Sequence, residues 1–242
     1  MASGNISKFM IDKNNKNIQL SFNLKKKKIY EKDDFLVSKS NKEAYKLINK
    51  WPDWESRKII IFGDSGTGKT HLSKIWQEKT SAIILNLNKF KKIKFDNFFL
   101  KKKKFIIENI SNFFDKIKKK DKENLEKNLL HFYNLIDEKR GYVVLTAAIA
   151  PKFWGINLPD LKSRILSSTT VNIKKPDDEL LSAVLVKLFI DKQILIDKKI
   201  IKFIVYRSER SFTSLQSLVN KIDKQSLITK KKININFVKK LI

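Results

Sequence analysis

Cysteine is absent from this 242-residue chain, so no disulfide framework holds it together. No run of about 18 apolar residues occurs, which excludes a helix long enough to span a membrane. The first residues have no continuous apolar core of signal-peptide length either. These absences lead to the expectation of a cytoplasmic protein with no membrane span. Arginine is scarce as well: of 52 basic residues only Arg57, Arg140, Arg164, Arg207 and Arg210 are arginine. Where lysine is the default cation, a retained arginine points to a place that uses the forked guanidinium to grip a carboxylate or phosphate.

The length suits one compact core with an appended subdomain and excludes several independent enzymes. A formal net charge of +27 would ordinarily point to nucleic acid. That signal is discounted, because lysine, isoleucine, asparagine and phenylalanine are abundant throughout, as A+T-rich coding would impose. The lysine runs at 25–28, 101–104, 118–120 and 230–232 are also spread along the chain rather than gathered in one stripe.

Residues 1–34 read as a loosely ordered arm, polar and lysine-rich apart from QLSFNL at 19–24. A short helix is expected after Ser40, ending before Pro52. RKIIIFGDSGTGKTHLSKIWQEK then reads as a buried strand at 58–62, a glycine loop, and a helix over 69–79. Further strand-like runs lie at 82–87, 104–107 and 142–146, with a helix near 122–138. Strands alternating with helices argue for an α/β fold, a parallel sheet covered on both faces, over 35–175. Beyond Pro176 the pattern is helical only, which implies a small all-helical subdomain over 176–242.

GDSGTGKT, Gly63 to Thr70, satisfies G-x-x-x-x-G-K-[ST] between a strand and a helix, the context that a P-loop needs. Gly63, Asp64, Ser65, Gly66, Thr67 and Gly68 form the loop whose N–H groups cradle phosphate. Lys69 reaches the outer phosphates and the Thr70 hydroxyl ligates Mg²⁺. A second acidic element is sought in FIIENI, 105–110, where Glu108 is placed to hold Mg²⁺ through a water, or is simply a solvated carboxylate at a strand end. Asn109 beside it bears an amide, which accepts no proton at neutral pH, so slow intrinsic hydrolysis is expected. Thr146 ends a strand, either sensing a γ-phosphate with its hydroxyl or merely closing the strand. Arg164, in LPDLKSRIL, either projects at a neighbouring subunit's nucleotide or makes an ion pair within its own chain.

GDSGTGKTHLSKIW, FIIENI, LPDLKSRI and the closing helices, in this order and spacing, resemble the AAA+ ATPases of the bacterial replication initiator DnaA. FLVSKSNKEAY, from Phe35, is similar to that family's segment that packs near the adenine. Within the family the likeness is closer to the DnaA-related regulators of the Hda type, which act with the sliding clamp on initiator-bound ATP. ININFVKKLI resembles the last segment of the helical lid, so the initiator's helix-turn-helix module is expected to be absent, and QLSFNL resembles the hexapeptide by which Hda binds the clamp.

The resemblance implies ADP or ATP with Mg²⁺ as cofactors, the initiator DnaA and the β sliding clamp of DNA polymerase III as partners, and location at the replisome. It gives Lys69 and Thr70 the phosphate and metal roles, Glu108 the metal-side acidic role, and Arg164 the part of an arginine finger in trans. Gln19, Leu20, Ser21, Phe22 and Leu24 would dock on the clamp, although their alternation also suits a half-buried edge strand. In the lid Thr213 falls where the family carries a sensor arginine, and Arg210, about one helical turn earlier, is the candidate substitute. Negative regulation of initiation is the leading expectation. The alternatives are an initiator variant or helicase loader of the DnaA/DnaC type that binds DNA directly, and a self-contained ATPase acting within a homodimer or larger homo-oligomer.

Overall fold

Ile59, Ile60 and Ile61 make the middle of a strand, β1 (Lys58–Phe62), in which β-branched side chains are buried on both faces of a sheet. The computed structural model describes residues 35–86, 90, 99, 102–116 and 119–242. Expectations for 19–24 therefore lie outside the described residues. Beside β1 run β4 (Tyr142–Ala147) and β5 (Thr169–Asn172); beyond β4 come β3 (Lys104–Ile107) and β2 (Ile83–Leu85). The order is β2-β3-β4-β1-β5, and all neighbours are parallel.

Among the described residues, the helices α1 (Lys42–Asn49), α2 (Lys69–Thr80), α3 (Ser111–Lys116), α4 (Lys119–Glu138) and α5 (Pro159–Leu166) belong to this layered part. The two faces of the sheet follow the strand's period of two. Ile59 and Ile61 pack with Ile106, Val144, Ala44 and Trp76 on one side. Ile60 packs with Phe105, Leu145, Phe132 and Leu129 on the other. A third cluster, running from Leu181 to Val238, is built only from α6 (Asp178–Asp191), α7 (Lys198–Arg207), α8 (Phe212–Thr229) and α9 (Ile235–Lys239). Each of these four helices starts on a residue whose side chain accepts a backbone N–H of the first turn, namely Asp177, Asp197, Ser211 and Asn234. The parallel sheet with a helical lid is the expected fold class. The strand β5 and the short helices α3 and α5 were not anticipated from the sequence pattern.

One corner of the sheet is aromatic. Trp54 stacks on Trp76 with centroids 5.3 Å apart, and Trp51 meets Trp76 edge-on at 6.5 Å. The ammonium groups of Lys79 and Lys104 lie 5.7 and 5.1 Å from the Trp51 ring centre, close enough for cation–π attraction.

Two local constraints set the ends of the functional elements. Glu126, on α4, is 2% exposed and accepts the N–H groups of Asn157 at 3.1 Å and Leu158 at 2.7 Å. It thereby anchors the segment that opens α5, the helix bearing Arg164. At the end of β1, Gly63 has φ 150°, and a Cβ there would lie 2.2 Å from the carbonyl oxygen of Ile173. The chain leaving β5 runs so close that glycine alone fits, held by the N–H of Ile173 donating to Phe62 O at 2.8 Å.

Replacing Glu126 by Ala takes the carboxylate acceptor from the N–H groups of Asn157 and Leu158, and the urea midpoint should fall by an amount equivalent to about 1–2 kcal/mol. Gly63→Ala should cost about 1–3 kcal/mol through displacement of the Ile173 backbone, seen as a lower Tm in thermal unfolding.

Candidate functional site

Gly63 to Gly68 leaves the carboxyl end of β1 and wraps onto the N-terminus of α2, the end of a parallel sheet at which ligands are bound. Gly66 and Gly68 have φ of 72° and 99°, the left-handed region that lets the loop turn around a ligand. The Thr67 hydroxyl donates across the loop to Asp64 O at 2.9 Å. Lys69 is 7% exposed, and its ammonium donates to Gly63 O at 2.6 Å and Asp64 O at 2.7 Å. Burial holds its pKa below the ordinary lysine value, opposed by the nearby Asp64 charge. Asp64 in turn lies 3.3 Å from Lys175 at the surface.

Glu108 follows β3 and accepts a hydrogen bond from the Ser73 hydroxyl at 3.2 Å, while the same hydroxyl is 3.0 Å from Thr70 O. Ser73, one turn along α2, thus ties the carboxylate to the residue expected to meet Mg²⁺. Asn109 has φ 54°, a conformation asparagine tolerates better than most residues. Its N–H donates to Thr146 Oγ1 at 3.0 Å, and the next N–H, of Ile110, donates to Thr146 O at 2.9 Å. Thr146 is 0% exposed, so the hydroxyl expected to sense phosphate serves here to pin the β3 end against β4.

A cleft of about 890 Å³ opens between the loop and the lid. Ser65, Gly66, Gly68, Lys69, Thr70 and Asn109 line its lower wall; Phe35, Leu36 and His71 close one side. Phe35 stacks on Tyr45 at 5.5 Å and meets His71 edge-on at 5.2 Å, giving an apolar, aromatic end to an otherwise polar space. The upper wall comes from α6 and α8, through Val184, Lys187, Leu188 and Asp191, and through Thr213, Gln216, Ser217 and Asn220. Those two sets recur at intervals of three and four, one face of each helix. The lid residues other than Thr213 were missed from the sequence, although that spacing was there to be read.

Neither Glu108 nor Thr146 is among the residues lining the cleft. Arg210 is not there either: its guanidinium donates to Pro176 O at 3.0 Å and pairs with Asp178 at the start of α6. Thr213, by contrast, faces the cleft. Arg164 lies near the end of α5, 44% exposed, with Nη1 3.5 Å from Asp137. Asp137 is held at 2.6 Å by Lys58, the first residue of β1. The P-loop leaves the last residue of that strand, so five residues at about 3.3 Å each separate Arg164's anchor from the phosphate loop. The guanidinium and the cleft therefore belong to opposite ends of the sheet.

Residues 24–173 match the family profile of the bacterial DnaA ATPase domain, and residues 178–242 match that of the Hda lid domain. The chromosomal replication initiator DnaA of Buchnera aphidicola is 26% identical over 249 residues, covering 94% of this chain and 55% of that protein. DnaA of Borreliella burgdorferi is 27% identical over 235 residues, covering 89% and 48%. The chain spans about half the length of these relatives. Among solved structures, domain III of Thermotoga maritima DnaA superposes with a TM-score of 0.75 at 18% identity, covering 89% of this chain and 96% of that one. AMPPCP-bound DnaA from Aquifex aeolicus gives 0.68 at 16%, covering 83% and 66%. The chain belongs to the bacterial DnaA ATPase-domain family and carries a lid of the Hda kind.

Proposed function

We propose that this protein binds adenine nucleotide in the cleft between P-loop and lid and acts on a second DnaA-family subunit as a negative regulator of replication initiation. The observation that carries the reading is the separation just described. Arg164 stands at the end of the sheet away from its own P-loop, where it is out of reach of a nucleotide in cis and available to one held by a neighbour. An arginine supplied in trans stabilises transition-state charge and is worth about 10³–10⁵ in rate.

The cleft fits a nucleotide: its loop offers backbone donors and Lys69 at one end, and Phe35, Leu36 and His71 give an apolar wall for a base at the other. A solved relative of the same fold holds AMPPCP, which supports an adenine nucleotide here. The donor set also suits Mg²⁺, with Thr70 as direct ligand and Glu108, tethered by Ser73, acting through water. An ion held there would supply positive charge against the phosphates. Asn109 lines the cleft where a base would be needed to orient water, so this chain's own turnover should be slow. With Arg210 turned away to Asp178, the lid brings Thr213 rather than a guanidinium to the cleft, which favours tolerance of ADP as well as ATP. Docking on the β sliding clamp through Gln19 to Leu24, supported by the QLSFNL sequence and the Hda-type lid, would concentrate the protein where replication has begun.

A direct role on DNA is the second reading, favoured by the 52 basic residues and by a solved DnaA relative bound to single-stranded DNA. A steep loss of DNA affinity with salt, in the absence of any effect on the initiator, would support it.

The deciding measurement is phosphate release from ATP already bound to the initiator, with clamp loaded on DNA. The native chain should accelerate release, and Arg164→Ala should remove about 10³-fold or more of that acceleration; equal rates with both proteins reject the finger. Separately, Gln19→Ala should weaken clamp binding in a direct affinity measurement, and undiminished binding returns the segment to an ordinary strand.

A further inference from the structure

Helix α8 begins at Phe212, and its first backbone N–H groups have no acceptor within the helix. The Phe212 N–H is satisfied from outside: it donates to the carbonyl oxygen of Gly66, in the middle of the P-loop, at 2.8 Å. Contact at this point is close on every side. A Cβ on Gly66 would lie 2.0 Å from the Ser211 hydroxyl, and a Cβ on Gly68 would lie 3.4 Å from the Phe212 ring. Ser211, the residue that caps α8, is itself buried. Gly66 is thus needed twice, for its left-handed φ of 72° and for the room it leaves the lid.

We infer that the Phe212 peptide is a positioning element of the phosphate site: its N–H sets the orientation of the Gly66–Thr67 peptide and so couples lid placement to the loop's readiness for phosphate. The physical link is the planar trans peptide. Fixing the Gly66 carbonyl toward α8 also fixes the direction of the Thr67 N–H, one of the donors with which such a loop meets a phosphate. The Thr67 hydroxyl, bonded to Asp64 O at 2.9 Å, braces the same peptide from its other end. A lid that swings away takes this constraint with it, and the loop is then ordered only by its internal bonds and the nucleotide. The inference rests on the nucleotide reading of the cleft.

A backbone donor is removed by proline, and the site tolerates it. Position 212 is the first of its helix, where proline costs no intrahelical bond. Ser211 before it is extended, with φ −145° and ψ 131°, as a residue preceding proline must be. Phe212→Ala removes the ring and keeps the N–H, so the comparison of Phe212→Pro with Phe212→Ala isolates the hydrogen bond. The full chain is titrated with ATP carrying a fluorescent ribose label, and release is followed after a chase of plain ATP. Phe212→Pro should bind about two- to tenfold more weakly than Phe212→Ala, the equivalent of one net hydrogen bond, with the difference in the release rate. Equal or tighter binding by the proline variant overturns the inference. Failure of the native chain to bind the label overturns the nucleotide reading, and this inference with it. Amide hydrogen exchange in the native chain tests the bond without any substitution. The Phe212 amide should be protected, and more so with ATP; exchange that is fast, or unchanged by ATP, overturns the inference even where the proline variant does not fold.

Discussion

The parallel pairing of β1 between β4 and β5 is the constraint on which the rest of the molecule depends. A strand so enclosed must be apolar on both faces, which Ile59, Ile60 and Ile61 supply, and it leaves polar groups only at its two ends. One end runs into the P-loop through Gly63, squeezed against Ile173; the other begins with Lys58, whose ammonium holds Asp137 and through it the neighbourhood of Arg164. The phosphate loop and the surroundings of Arg164 are therefore both set by the same five residues. Their separation is a property of the strand's length rather than of any loop.

Around that strand the site is assembled largely by main-chain N–H groups that donate to a few polar side chains. Thr146 receives two consecutive N–H groups from the β3 end, and Ser111, buried, accepts the N–H of Ala148 at 3.0 Å. These bonds fix the level of Asn109 relative to the P-loop. Glu126 performs a similar service for α5, holding two N–H groups ahead of Pro159. Such carboxylate-to-backbone bonds are strong when buried, and they place a surface arginine on a rigid mount.

Much of this was legible in the residues themselves. GDSGTGKT is specific enough to place the loop, and the change from alternating strands to helices after Pro176 marks the lid. The strand β5 was not legible, because Thr169-Thr170-Val171-Asn172 is short, half-exposed and partly polar, as suits the edge of a sheet. Arg210 illustrates a different limit: a helical spacing to Thr213 would suit the cleft, but Arg210 lies before α8, in the connection from α7, where an ion pair with Asp178 and a bond to Pro176 O draw it elsewhere. Thr146 is expected to end its strand but lies one residue inside β4, which closes at Ala147, and the use of its hydroxyl depends on a turn at Asn109 that no pattern announces. The lid's cleft-facing residues are set by which face of α6 and α8 the third core cluster leaves over. That choice is made by tertiary packing.

The chain's four tryptophans are unevenly distributed. Three of them, Trp51, Trp54 and Trp76, share the aromatic corner beside α1 and α2, and Trp154 stacks on Phe114 at 5.9 Å in the opposite core. The lid has none. Intrinsic ultraviolet emission from this protein is consequently an optical record of the sheet and its flanking helices, dominated by one crowded cluster with lysine ammonium groups against its outermost ring. Lid movements pass almost unseen in that signal, so a spectroscopist following them would first have to place an indole there.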